Sequence, residues 1–428
     1  MNLSRDHTAL PIEAVQGLII LAFLLIKVEG LSRRCRFLFS TCFYMARDLG
    51  LHRIDHPSNT QPTDTIEAEM GRRVFWYLCS SDWQAGARFD GVEGTYTWHP
   101  RQIITRKPRH IDDENMLVEQ PMSTPTTMSY PLHRIKISEI CRNFIDRRPL
   151  ASAYLGGYSS DELLDIDLEF QLLLNEVQPF FAMPRHELIA RYQLNVEKAG
   201  DIVQQGHTLR FLLHSQRCKI HLPYLTKGYT MSEYKYSKTR CIESARLLIQ
   251  SQSHLLEAGA MNGTLFPFAG LLLGVFMASI VLFVDICMNK SCGREHLHRT
   301  EVSQALRLLE SARNESDTIA RFVDHLTDVL RKHRIAPVKS ALPLQREYAG
   351  DALQISQTTA AADLSSSWLT PESIPHAGPS NGEGMVEGMG DEDLSAYFQE
   401  FAQSFGQELD SNQYDWDNIL SDLNTSFV

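Results

Sequence analysis

The 428-residue chain contains no Cys-x-x-Cys pair. Its eight cysteines, Cys35, Cys42, Cys79, Cys141, Cys218, Cys241, Cys287 and Cys292, occur singly. Without paired spacing there is no zinc knuckle, no dithiol redox motif and no disulfide framework. Most of these cysteines stand at apolar helical positions, where a thiol acts as a small hydrophobe, as expected in a reducing compartment. The sixteen histidines are dispersed. His296 and His298 lie closest together and have no third ligand beside them. His186-Glu187 lacks the second histidine that a zinc-protease helix carries four residues after the first. No Gly-x-Ser-x-Gly is present, and Gly382-Glu383-Gly384 lies far from any strand pattern. Nothing in this inventory argues for catalysis, so the expectation is a protein that is not an enzyme and holds no cofactor.

Long apolar runs are equally scarce. Leu18–Ile26 is too short to span a bilayer. Leu265–Val284 holds twenty uncharged residues, but Pro267, Gly270 and Gly274 interrupt it and Asp285 follows at once. No aromatic-basic anchors precede it, so it reads as a buried core helix, with no membrane contact expected. Excess positive charge is missing too. After position 339 there is one basic residue, Arg346, against fifteen acidic ones, so the net charge of −11 belongs to the tail. The remaining body is close to neutral and offers no broad footprint for nucleic acid.

What is present is helical periodicity. The densest stretch runs from Cys42 to Asn115. Its middle piece, Glu69-Met-Gly-Arg-Arg-Val-Phe-Trp-Tyr-Leu-Cys-Ser-Ser-Asp-Trp83, follows Pro62. Asp64 is placed to cap it, with Glu67 three residues on as in a capping box. Met70, Val74 and Leu78 recur every fourth residue, while Phe75, Trp76, Cys79 and Trp83 cover most of the remaining circumference. A helix apolar nearly all round is a buried one. Asp82 on it would cost several kcal/mol, on the order of 2–7, if left unpaired, so a cationic or donor partner is expected from outside the helix. Upstream, Pro11 opens a helix that Gly30 closes. Ser32 is placed to cap a second helix reaching Leu49, and the two form an αα-hairpin. Downstream, helices are expected over 132–147, 161–178, 186–220 and 237–256, then an amphipathic helical region over 291–334. Gln120 to Pro131 reads as a surface loop.

Three motifs in order carry a resemblance. Ala46-x-x-Leu49-Gly50-Leu51-His52-Arg53 comes first. Glu69-x-x-Arg72-Arg73-x-Phe75-Trp76-x-Leu78-x-x-x-Asp82 follows, and Pro108-Arg109-x-Ile111-Asp112-Asp113-Glu114 closes the set. Together they resemble the fungal-specific transcription factor domain, the helical middle region of fungal binuclear zinc-cluster regulators. Lys107-Pro108 stands where that family usually has Leu-Pro. Leu213 to Leu225 is similar to a later signature in which a helix ends at a His-x-Pro step. The resemblance covers about 14–256 and implies an all-α regulatory domain, here residues 1–336. Leu49, Gly50, His52, Arg53, Arg72, Arg73, Phe75, Trp76, Asp82, Asp112 and Asp113 are its structural motif residues. It further implies a nuclear regulator of RNA polymerase II genes, with specificity for one metabolic or biosynthetic gene cluster as an expectation. The family's six-cysteine zinc module, which binds DNA, is absent from this chain. The expectation is a start lost upstream of Met1, with zinc and DNA contact supplied by a missing or partner module. Homodimerisation is compatible with the resemblance.

Residues 337–390 are rich in Ser, Thr, Pro and Gly and poor in large apolar groups, the composition of a disordered linker. Residues 391–428 differ. Leu394, Phe398, Phe401 and Phe405 lie at i, i+4, i+7 and i+11 behind Asp391-Glu392-Asp393. Trp416, Ile419, Leu420 and Leu423 form a second set among Asp415, Asp417 and Asp422. Acidic groups keep such aromatics solvated until a coactivator or mediator-type groove buries them, so these eight are the candidate coactivator-binding residues. The competing reading is an α-helical enzyme or ligand-binding protein with no transcriptional role, in which an acidic aromatic tail has no use.

Overall fold

The computed structural model describes residues 11–29, 33–60, 62–87, 94–114, 116, 118–147, 159–261, 269–288, 295–315 and 317–332. The tail segments 337–390 and 391–428, with all eight candidate coactivator-binding residues, lie outside them. Among the described residues the fold is all-α, without a strand.

Helices α1 (Ile12–Glu29) and α2 (Arg33–Asp48) pack against each other and against α3 (Ile66–Gly86). The α3 cap departs from expectation. Thr65, not Asp64, is the N-cap: its backbone is extended and its side chain accepts the Ala68 N–H at 3.2 Å. Residue 68 is alanine, so there is no capping box, and Glu67 lies one position too early. Asp64 instead faces Arg106 at 3.3 Å on the surface. The inside of α3 matches its pattern, with Val74, Phe75, Trp76, Leu78, Cys79 and Trp83 all buried. Gly86 ends α3 where a Cβ would stand 2.2 Å from the Thr95 carbonyl oxygen, so only glycine permits this approach.

The next layer is α4 (Ser129–Asp146), α5 (Ser160–Glu176), α6 (Arg185–Tyr192) and α7 (Val196–His221). The stretch before α4 is not wholly a surface loop. Thr126 and Met128 are buried, and Ser129 Oγ accepts from the Thr126 N–H at 2.9 Å. A capping box does occur at α5, where Ser159 and Glu162 satisfy each other's backbone N–H groups. The single long helix expected over 186–220 is two. Gln193 adopts the left-handed conformation (φ 54°), and Asn195 then caps α7 by accepting the Lys198 N–H at 2.7 Å. Local capping by a short polar side chain wins over continued helical periodicity here.

Helices α8 (Lys235–Met261), α9 (Ala269–Met288), α10 (Glu295–Glu310) and α11 (Asp317–Lys332) close the body, with α8 packed along α7 and α9 on α8. From Val275 to Ile286 α9 is buried on all sides, as its mostly apolar sequence requires. Its Asp285 accepts a hydrogen bond from Tyr229 Oη and faces Arg246 at 3.8 Å. Among the described residues no helix is long and apolar enough to cross a membrane. Cys35, Cys42, Cys79, Cys141, Cys218 and Cys241 are buried thiols.

Candidate functional site

The three sequence motifs meet at the N-terminal half of α3. Arg72, buried in the protein, projects from that helix toward the turn that follows Gly50. Its Nε and Nη2 donate to the two oxygens of Asp55 at 3.0 and 2.6 Å, a forked pair, and Nη2 also donates to the Thr63 carbonyl at 2.6 Å. Forked guanidinium–carboxylate pairs fix orientation as well as charge. Asp55 takes two further bonds, from the Arg106 N–H at 2.7 Å and Arg106 Nε at 2.9 Å. Burial pushes the Asp55 carboxyl up, but the Arg72 and Arg106 bonds outweigh it and bring it down to about 2. Glu69, with no exposed surface, faces Arg72 and Arg73 at 3.4 Å each and accepts the Arg109 N–H at 3.1 Å. Arg73 continues to Asp113 at 2.5 Å, and Asp112 is held by Lys198 of α7.

Backbone pairing completes the clamp. The Ile104 N–H donates to the His52 carbonyl at 2.8 Å, and Thr105 Oγ1 donates to the Leu51 carbonyl at 2.6 Å. Trp76 Nε1 donates to the Arg106 carbonyl at 2.8 Å. Gly50 holds φ 70°, the left-handed turn that starts this segment, and the exposed Arg53 folds back beside it. Leu49 packs partly buried on the same core. Asp82 finds the donors it needs from outside α3, the N–H groups of Thr97 and Trp98 at 2.7 and 2.8 Å. Burial raises its pKa, and those two backbone bonds offset part of the rise. Trp98 sits over this corner, edge-on to Phe75 with ring centroids 5.2 Å apart and beside His52 at 5.8 Å.

Every candidate motif residue from Leu49 to Asp113 therefore belongs to one assembly. Its carboxylates are occupied by cations or backbone donors. It can hold two loops on a helix, but it presents no nucleophile beside a base. Among the described residues, no group of three His, Cys, Asp or Glu side chains could hold a metal ion.

A second buried centre carries no sequence motif. Asp167 of α5 receives Arg217 and His221 of α7 and Tyr236 of α8. The Arg217 Nη2 bond is 2.7 Å and the His221 Nε2 contact 3.1 Å. Burial raises the Asp167 carboxyl, but Arg217 and His221 pull it well below the ordinary range. Arg217 and His221 end a stripe on α7 that also includes His207, Arg210 and His214. Burial pushes His214 down to about 3 and His207 to about 4, so both are neutral rings. Their recurrence every three or four residues was the available sequence signal, and it ordinarily marks a solvated basic face.

Comparison with known proteins gives the chain its kin. It is 33% identical over 346 residues to the probable transcription factor lepB of Aspergillus flavus, covering 78% of this chain and 61% of that protein. It is 26% identical over 342 residues to the agnestins biosynthesis cluster transcription factor of Paecilomyces divaricatus, covering 75% of this chain and 47% of that one. A Zn(2)-C6 fungal-type transcription factor of Macrophomina phaseolina is 25% identical over 233 residues, covering 52% and 29%. No family model matches the chain. No solved structure matches it either. The chain spans about half to three-fifths of the length of the first two relatives. All three relatives carry the names of transcription factors, one of them of the Zn(2)-C6 fungal type, and the chain is similar to them along half to three-quarters of its length.

Proposed function

We propose that this chain is the regulatory and activating part of a nuclear regulator of RNA polymerase II genes, acting on one metabolic or biosynthetic gene cluster. The observation that carries the reading is similarity along most of the chain to proteins named as transcription factors, one of them from a biosynthesis cluster. In this reading residues 1–336 are the regulatory domain, 337–390 a linker and 391–428 the activation segment. DNA is engaged through a zinc cluster outside this sequence or on a partner, a reading supported by the near-neutral body and by the Zn(2)-C6 type of one relative. The clamp of Arg72, Arg73, Trp76 and their carboxylates keeps the regulatory domain in shape.

Activation is assigned to Leu394, Phe398, Phe401, Phe405, Trp416, Ile419, Leu420 and Leu423. Burying one such side chain is worth roughly 1.5–3 kcal/mol before ordering costs, so three or four anchors suffice for micromolar binding of a coactivator. Residues 385–428, fused to an unrelated DNA-binding domain, should activate a reporter in a fungal host. Phe398→Ala with Phe401→Ala should remove most of that activity, while changes at Gln399 and Gln403 should leave it. A silent fusion would refute the assignment of activation to this segment.

A further inference from the structure

Helices α7 and α8 lie antiparallel along much of their length. Cys218 meets Cys241 near one end of the contact, and near the other the His207 and His254 ring centroids are 5.4 Å apart. The two sulfurs stand 3.9 Å apart although their residues are 23 positions apart in sequence, a separation that no cysteine motif reveals. Each Sγ also lies 3.7 Å from the carbonyl oxygen of the other residue, so the two side chains converge across the interface. Cysteines whose side chains point apart cannot be bridged, whereas these already face each other. A disulfide holds its sulfurs about 2.0 Å apart, so bonding asks each sulfur to move on the order of 1 Å.

The surroundings decide when this chemistry can run. Neither residue has any exposed surface, and both share one core with Leu222, Leu225, Ala245 and Leu248. Burial, joined by the hydrogen bond to Cys218, pushes the Cys241 thiol well above its ordinary range. The thiolate is the nucleophile, so the pair stays reduced while α7 and α8 are closed. Local opening of the interface changes both conditions at once, admitting oxidant and letting a thiol ionise in water. A sulfur oxidised there has its partner within bonding reach.

We propose that Cys218 and Cys241 form a site of reversible oxidation, in which a peroxide entering the opened α7–α8 interface leaves a disulfide that fastens the two helices. One thiolate sulfur first attacks the peroxide. An S–O bond forms as the O–O bond breaks, and the departing oxygen takes up the proton that the thiol lost. The second sulfur then attacks the sulfenic acid, forming the S–S bond and releasing the hydroxyl, which leaves with that sulfur's proton as water. With hydrogen peroxide the sum is two thiols and one peroxide giving one disulfide and two waters. The bond falls beside the Asp167 centre, since Arg217 adjoins Cys218 and Tyr236 lies on the turn of α8 before Cys241. It ties together the two helices that supply Arg217, His221 and Tyr236 to that carboxylate.

Hydrogen peroxide added to the reduced full-length chain tests this without any substitution. After alkylation and digestion without reductant, mass spectrometry should find the Cys218 and Cys241 peptides joined and lighter by two hydrogens than their sum. Two alkylatable thiols should be lost, and dithiothreitol should restore both. Joining should be faster in sub-denaturing urea, which populates the opened interface, and amide exchange across α7 and α8 should be slower in the oxidised chain. Separate sulfinic acids on Cys218 and Cys241, a link from either to another cysteine, or two thiols that stay alkylatable would overturn the proposal. A rate indifferent to urea would overturn it as well, because the closed interface would then be the reactive one.

Discussion

The Asp55–Arg72–Glu69 clamp and the Asp167–Arg217–His221 centre are both buried ion-pair sites, yet they are wired in opposite ways. The clamp is redundant. Arg72 has Asp55, Glu69 and the Thr63 carbonyl, while Asp55 has Arg72 and Arg106. Much of it is local, with Glu69 and Arg72 three residues apart on α3. In the second centre a single carboxylate serves three side chains that lie 50, 54 and 69 residues away. Redundant sharing lets a clamp lose one member and keep its other charges paired. A single hub cannot do so, because its loss leaves a buried guanidinium without the carboxylate that faces it.

Asp167→Ala should therefore be the most damaging single change, costing about 3–5 kcal/mol by urea unfolding, the range for breaking a buried pair from one side. Adding Arg217→Met should recover a large part of that loss, since two apolar groups in place of a buried pair are often neutral. If the double variant is no better than Asp167→Ala, desolvation of Arg217 is not the cause.

The stripe on α7 gives the hub a pH dependence that begins near neutrality, well above the window of the clamp. His214 ordinarily titrates at 6.5, and in the folded protein burial, with Arg217 and Arg210 nearby, brings it to about 3. The unfolded chain takes up this proton below 6.5 and the folded chain does not. Stability is thus full above that value and falls as the pH drops, by about 3 kcal/mol between pH 7 and pH 4 from this ring alone. In His214→Gln that slope should shrink by the same amount, as read from unfolding midpoints across the range. An unchanged slope would place His214 in contact with water.

Asp55→Ala should cost less than Asp167→Ala, about 1–2 kcal/mol, because Arg72 retains Glu69 and Thr63 and Arg106 is exposed. Its pH window also differs. The folded carboxyl sits at about 2 against an ordinary 3.8, so its contribution is complete above about 4 and is lost as pH falls through 2. The gap between wild type and Asp55→Asn should close across that interval. A cost equal to that of Asp167→Ala would remove the distinction between shared and single-hub wiring.

The same difference explains what could be read in advance. The buried character of α3 follows from apolar residues covering its circumference, and the need of Asp82 for outside donors follows from that burial. The Thr97 and Trp98 N–H groups meet it. Arg72 was singled out as a motif residue, but its partner Asp55, 17 positions away and just past the first motif, was not. Asp167 had no such trace. Its neighbours Leu163, Ile166 and Phe170 mark a core-facing side of α5, but its partners come from helices whose placement depends on the tertiary fold. The break at Gln193 was hidden for another reason. Neither glycine nor proline marks it, and a left-handed glutamine leaves no pattern in apolar spacing. Thr126 was misread because polar composition suggests a loop on the surface, whereas its N–H is satisfied internally by Ser129.

The smallest effect tests the entry to α3, where Asp64 was expected to cap the helix and Thr65 does so. Thr65 and Asp64 both carry a side-chain oxygen close to the backbone, on Cβ in threonine and on Cγ in aspartate, and both types are favoured N-caps. In the structure Thr65 accepts the Ala68 N–H, which would otherwise be one of the four unpaired donors of the helix start. Asp64 has only an exposed partner, Arg106, and such surface pairs contribute about 0–1 kcal/mol. Thr65→Ala should thus cost about 1 kcal/mol and Asp64→Ala less than about 0.5. Because the cap lies one turn before Glu69, its loss should also loosen the clamp, visible as faster amide exchange at Ala68 and Glu69. If Asp64→Ala proves the costlier change, the helix starts one residue earlier and Glu67 closes a capping box after all.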